Sequence, residues 1–161
     1  MKKLIKTLIR KIISLMFMIL GRFNLGQFIY EQFIDVIINR TKSVEHEGTK
    51  LVLSTPNGLT RYRADTFSSK EPETLDWLDG IPENSVLWDI GANVGLYTCY
   101  AAKKLNCRVF AFEPSVFNLE VLARNIHLNG LSNLVTIIPL PLSSELSINK
   151  LNMTSTSWGG Q

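Results

Sequence analysis

Apolar and amphipathic stretches alternate through the second half of the chain with the rhythm of strand and helix. Residues 86–90 form a short apolar run bounded by a glycine turn, the pattern of a buried strand. Helix-like spacing follows over 96–105, a second strand-like run over 108–112, an amphipathic stretch over 115–128 and a third apolar run over 134–138. Strands alternating with helices of this length predict a parallel sheet, and so an α/β fold. Asn129-Gly130 ends the second helix with glycine at the C′ position. Pro139-Leu140-Pro141-Leu142 ends the third strand, because proline cannot donate to a ladder.

Upstream the period changes. Leu51-Val52-Leu53 and residues 59–67 flank Pro56-Asn57-Gly58, and Asn-Gly between strand-like runs predicts a β-hairpin. Residues 68–80 then read as a helix whose start carries Glu71-Pro72-Glu73, a proline and two acids suited to a first turn. Glu71 and Thr74 are candidate ligand contacts, with capping as the simpler account. Trp77, Trp88 and Phe112 are expected to fill the core.

With 161 residues, 45% of them hydrophobic, the chain can bury one core. The formal charge of +3 is unevenly spread. Lys2, Lys3, Lys6, Arg10, Lys11 and Arg22 precede the first acid, and the remaining 11 basic residues face 14 acidic ones. A mildly acidic body argues against nucleic acid, which calls for a basic patch on the folded domain. Residues 12–20 are apolar except for Ser14, too short a run to cross a bilayer, which takes about 20 residues. Gly21-Arg22-Phe23-Asn24 provides no small-x-small cleavage site for a signal peptide. Two readings of residues 1–22 stand. One is an amphipathic helix peripheral to the cytoplasmic face of a membrane, its lysines near anionic lipid; the other is a helix packed on the domain or on a second subunit. Cys99 and Cys107 lack Cys-x-x-Cys spacing and read as core thiols in a cytoplasmic protein. His46 and His127 form no metal-binding pair.

The chemistry concentrates at Asp89-Ile90-Gly91-Ala92-Asn93-Val94-Gly95, between the first strand of this half and its helix. That junction is where an α/β sheet holds a nucleotide-like ligand. A dinucleotide fingerprint needs G-x-G-x-x-G, whose middle glycine admits a pyrophosphate; here Asn93 stands in its place. Asp89 is a poor neighbour for phosphate and a good one for an ammonium group or a sulfonium. S-adenosylmethionine meets that demand. Glu113, at the tip of the second strand and 22 residues past Gly91, can accept both ribose hydroxyls of an adenosine cofactor. Tyr97 and Thr98, just after the glycines, can touch the cofactor through backbone N–H groups.

The run from Glu71 to Leu78, then Val86-Leu87-Trp88-Asp89-Ile90-Gly91-Ala92-Asn93-Val94-Gly95-Leu96-Tyr97-Thr98, then Phe110-Ala111-Phe112-Glu113-Pro114, resembles the FkbM family of S-adenosylmethionine-dependent methyltransferases over about residues 45–150. The resemblance implies a Rossmann-like class I methyltransferase fold and methyl transfer to oxygen, on a sugar, glycan or secondary metabolite. Position by position it implies that Asp89, Gly91, Asn93 and Gly95 form the methionine and ribose side of the cofactor pocket and that Glu113 holds the ribose. It also implies a strand order of three, two, one, four.

An acid near residue 143 often contacts adenine in methyltransferases; Ser143 and Ser144 stand there instead. The family's acceptor-side segment, with its general base, is expected beyond residue 150, so no catalytic residue is assigned within the chain. Residues 1–44 are expected to form a helical segment and 45–161 an incomplete methyltransferase domain, truncated or completed by a partner, with an apolar sheet edge prone to aggregate. Two other functions are weighed, a NAD-binding oxidoreductase and a non-enzymatic scaffold at a membrane surface.

Overall fold

The computed structural model describes residues 2–145, 147–148 and 150–160. The chain divides after Asn39 into two compact units. The first is a pair of helices, α1 (Lys2–Leu20) and α2 (Asn24–Ile38). Phe17 stacks on Tyr30 at 4.7 Å between ring centroids. Gly26 is buried where the helices meet: a Cβ there would lie 1.8 Å from the Leu20 carbonyl oxygen, so only glycine allows this approach.

The second unit begins with a hairpin, β1 (Thr41–His46) and β2 (Thr49–Ser54), in antiparallel register from Thr41 opposite Ser54 to His46 opposite Thr49. Because β1 starts at Thr41, the division falls ahead of the boundary at residue 44 read from the sequence. The two-residue turn is Glu47-Gly48, with φ of 45° and 74°, the doubly positive pair of a type I′ turn. The hairpin expected around Asn57-Gly58 is therefore misplaced. Asn57 instead caps α3 (Gly58–Asp65): its side chain accepts from the Thr60 N–H at 2.8 Å while the Thr60 hydroxyl accepts from the Asn57 N–H at 3.3 Å. Asn-Gly suits a hairpin turn through positive φ, but asparagine is also a leading N-cap residue, and a reciprocal capping box decides between them.

After α4 (Pro72–Asp79) the α/β half follows the expected pattern: β3 (Val86–Ile90), α5 (Leu96–Leu105), β4 (Arg108–Phe112), α6 (Val116–Leu128) and β5 (Val135–Ile138). The three strands are parallel in the order β3-β4-β5, with Val86 opposite Arg108 and Val109 opposite Val135. This is the Rossmann-like α/β arrangement read from the sequence. Gly130, at φ 70°, follows the C-cap Asn129 and ends α6 as anticipated.

The sheet grows in one direction and α5 and α6 touch each other, so both helices lie on the same face, as two crossovers of the usual right hand require. Leu87, Val109 and Ala111 are buried on that face, together with Tyr100 and Leu122 from the helices. On the other face of β3, Val86, Trp88 and Ile90 remain 62%, 59% and 64% exposed. Trp88 therefore lies outside the core in which it was expected, and so does Trp77 on the outer side of α4; Phe112 is buried as expected. The reason is the strand period of two, which sends alternate residues of β3 to opposite faces. Cys99 and Cys107 are buried free thiols, and burial pushes the Cys99 thiol up to about 12.

Both α5 and α6 also contact β2. There the contact is polar as well as apolar. Asn125 accepts from the Ser54 N–H at 2.7 Å and donates to the Val94 carbonyl at 2.7 Å. Asn129 accepts from the Val52 N–H at 3.0 Å and donates to the Val52 carbonyl at 2.8 Å, so two side-chain amides pair the free edge of β2 in place of a third strand.

Candidate functional site

The carboxyl ends of β3 and β4 meet at the glycine turn. Gly91, Asn93 and Gly95 have φ of 82°, 51° and 78°, and the Gly91 and Ala92 N–H groups both donate to the Phe112 carbonyl at 2.9 Å. The turn is thereby fastened to the tip of β4. The next residue, Glu113, is buried and completes the fastening: its Oε2 accepts from the Asn93 N–H at 2.9 Å and its Oε1 from the Ser115 N–H at 2.8 Å. One carboxylate thus ties the loop after β3 to the start of α6.

Two cavities lie on either side of this turn, and Gly91 and Asn93 line both. The first, about 130 Å³, is bounded also by Asp89, Tyr97, Glu71 and Arg63. The second, about 230 Å³, is bounded by Glu113, Ser115, Asn118 and Gly160. Four of the five candidate residues from the sequence therefore line these neighbouring cavities, Asp89 the first, Glu113 the second, and Gly91 and Asn93 both. Gly95 lines neither cavity. It packs instead, since a Cβ at this position would lie 2.2 Å from Leu122 Cδ1.

Asp89 accepts from the Thr98 hydroxyl. Burial raises its carboxyl above the usual range, against the lowering effect of the Thr98 hydroxyl and N–H, and the Glu113 charge adds to the rise. Tyr97 donates to Glu71 at 3.1 Å; burial first, then the Glu71 charge, raises its phenol so that it stays protonated near neutrality. Glu71 is the N-cap residue of α4 without a side-chain cap bond, so the capping account of this acid gives way to its bonds with Tyr97 and with Lys70 at 2.9 Å. The Lys70 hydrogen bond holds the Glu71 carboxyl below its ordinary value.

Sequence reasoning missed Arg63, Asn118 and the tail they hold. Arg63 gives two hydrogen bonds, at 2.9 and 2.7 Å, to the Gly159 carbonyl. Asn118 accepts from the Gly159 N–H at 3.0 Å and donates to the Gly160 carbonyl at 2.9 Å. Asn57 donates to the Trp158 carbonyl at 3.0 Å, and the Trp158 indole N–H donates to Glu120 at 2.9 Å. The Ser/Thr/Gly-rich tail is thus drawn over the second cavity through its backbone. Arg63 carried no signal because its segment was read as a strand. Among the described residues no cluster of three or more His, Cys, Asp or Glu could hold a metal ion.

No family model matches the chain. A 65-residue segment, 40% of the chain, is 37% identical to methyltransferase sdnD of Sordaria araneosa and covers 25% of that protein. A 48-residue segment, 30% of the chain, is 42% identical to hexuronic acid methyltransferase AglP of Haloferax volcanii and covers 19% of it. The chain thus spans a quarter or less of the length of these two curated relatives, both methyltransferases by name. Among solved structures, M. jannaschii TYW2 in complex with AdoMet aligns at 24% identity and a TM-score of 0.44, over 61% of this chain and 42% of that one.

Proposed function

We propose that the chain carries the cofactor half of an S-adenosylmethionine-dependent methyltransferase of the FkbM type, acting on a hydroxyl of a sugar, glycan or secondary metabolite. The observation that carries the reading is the pair of cavities that share Gly91 and Asn93, with the half-buried Asp89 lining one and the buried Glu113 the other. The names of the two sequence relatives support methyl transfer, and the hexuronic acid named for one of them supports a sugar acceptor.

The residues present fit the cofactor. Burial destabilises an unpaired Asp89 carboxylate, and a ligand ammonium or sulfonium would offset that penalty. Asn93 Oδ1 is buried without a protein partner, an acceptor left for a ligand donor. Glu113 Oε2 retains acceptor capacity beyond the Asn93 N–H, while Oε1 already accepts from the Ser115 N–H and, at 3.5 Å, from the Asn118 amide, so the carboxylate can take a ribose hydroxyl at Oε2 while still bracing the turn. When bound, S-adenosylmethionine supplies an electrophilic methyl group on a sulfonium. Asp89 would hold the amino-acid end, Glu113 the ribose, and the backbone at Gly91 and Asn93 the stretch between. Holding reactants on a common axis contributes up to roughly 7–11 kcal/mol in reactions of this type. Tyr97, protonated and bonded to Glu71, serves as a fixed wall and donor rather than a base.

Calorimetric titration of the chain with S-adenosylmethionine and, separately, with NADH tests the reading. Binding of the first and not the second is expected, because a pyrophosphate would set negative charge beside Asp89. NADH binding without S-adenosylmethionine binding would replace the proposal with the oxidoreductase reading. A folded chain that binds neither would leave a scaffold.

A further inference from the structure

The first unit has almost no interior. Among its described residues Gly26 alone is buried, whereas Leu4, Leu8, Ile12, Leu15 and Ile19 of α1 and Phe33, Val36 and Ile37 of α2 are all exposed. The five α1 residues fall at spacings of three and four and share one helix face; Lys3, Lys6 and Arg10 lie on the opposite one and Lys11 at the border between them. The two halves of α1 also differ. Its first half is two-sided, but residues 12–20 are apolar on every side except at Ser14, and Ile13, Phe17 and Met18 are exposed as well. A single partner helix would cover only one of those sides.

From this asymmetry we propose that residues 2–38 form an interfacial anchor for an anionic lipid bilayer. The basic first half lies among headgroups, the apolar side chains of residues 12–20 sink beneath them, and Arg22 at the corner returns to the headgroups. Charge argues for lipid over a protein groove or a second copy of the chain. The first turns of α1 contain lysine and no acid, so basic side chains crowd the positive end of the helix dipole, an arrangement unfavourable in water and relieved by lipid phosphate. A second copy would bring the same unbalanced positive charge. The basic residues along α1 argue for lying in the interface over crossing it: its 19 residues are interrupted by Lys3, Lys6, Arg10 and Lys11, and among the described residues no helix is long and apolar enough to cross a membrane. This inference goes beyond the methyltransferase reading and does not depend on it.

The test is flotation of the full chain with phosphatidylcholine vesicles and with vesicles of phosphatidylcholine and phosphatidylglycerol. Binding to the anionic vesicles is expected, weakening with salt and by about fivefold for each of Lys3, Lys6 and Arg10 replaced with Gln. A Met18→Cys variant labelled with an environment-sensitive dye should report an apolar environment only with anionic vesicles, the native thiols being buried. Three outcomes would overturn the anchor: no flotation with anionic vesicles; flotation unchanged by the triple Gln variant; or a discrete dimer in which the dye is already shielded and indifferent to lipid.

Discussion

The hairpin β1–β2 and the parallel sheet β3–β5 both rest on α5 and α6, yet they are held by different kinds of contact. The sheet is placed by crossover handedness and by apolar side chains such as Val109 and Leu122, which stabilise through area and tolerate small shifts. The hairpin adds a set of directional bonds. Asn125 and Asn129 present their amides to the edge of β2 as a strand would, fixing its register against α6 to within a hydrogen-bond length. Non-directional burial assembles the parallel sheet with its helices, while side-chain amides fix the flanking hairpin against them.

Asn125→Leu gives the largest expected effect on that contrast. The substitution orphans the Ser54 N–H and the Val94 carbonyl in a buried place, at about 1–3 kcal/mol each and about 2–6 kcal/mol together. Urea unfolding followed by circular dichroism should show a midpoint lowered accordingly, with faster amide exchange at Ser54. A near-neutral result would mean that apolar packing alone locates the hairpin.

Gly95→Ala comes next and probes the sheet side. The new Cβ would press on the fully buried Leu122 and occupy a left-handed backbone, costing about 2–5 kcal/mol in the same unfolding assay. Gly91→Ala is its control. It has the same sign of φ but open space around the added carbon, so its cost should be limited to about 1–2 kcal/mol of backbone strain. Equal losses would deny Gly95 its packing role.

The two halves of the second unit also differ in how far the sequence revealed them. Between Val86 and Ile138 local pattern and global topology agree, because each strand is a short apolar run and each helix is closed by its own signal, such as Gly130. Around residues 41–67 they conflict. Glu47-Gly48 makes the real hairpin turn although glutamate is unusual at positive φ, while Asn57-Gly58, the stronger turn signal, was claimed by a helix through Thr60. At the site, Asp89, Gly91, Asn93 and Glu113 were legible because consecutive motif residues share one strand tip. Arg63 and Asn118 were not: they line the cavities from segments distant in sequence and are tied to the tail at Gly159 and Gly160, about 40 residues from Asn118 and nearly 100 from Arg63. Exposure of Trp88 was equally hidden: strand alternation gives two faces but not which one the helices cover.

At the cleft itself, Asp89→Asn should weaken S-adenosylmethionine binding by about 1.5–3 kcal/mol, the contribution of a hydrogen bond to a charged group. The sign of the pH dependence separates charge from shape. In the wild type, affinity should rise with pH through the raised carboxyl value of Asp89 and then level off, because only the ionised form attracts the cation. Stability runs the other way. The folded state favours protonated Asp89, so the associated stability is fully present below the ordinary value of 3.8 and is lost as pH rises through the raised one. The Asn variant should lack both dependences in calorimetry and in unfolding; a pH profile that survives the substitution would move the effect to another group.

The smallest effect separates two jobs that Asn57 performs with opposite ends of its amide. Its oxygen caps α3 at Thr60, and its nitrogen reaches the Trp158 carbonyl. Asn57→Ala removes both and should cost about 1 kcal/mol, the usual loss for a cap. Asn57→Asp keeps an acceptor for the Thr60 N–H but offers no donor to Trp158, so its stability should stay within a few tenths of a kcal/mol of wild type. Both variants should nevertheless expose residues 154–160 to faster proteolysis. Protection of the tail in the Asp variant would show that Arg63 and Asn118 suffice to hold it, and that the amide at position 57 matters to the helix alone.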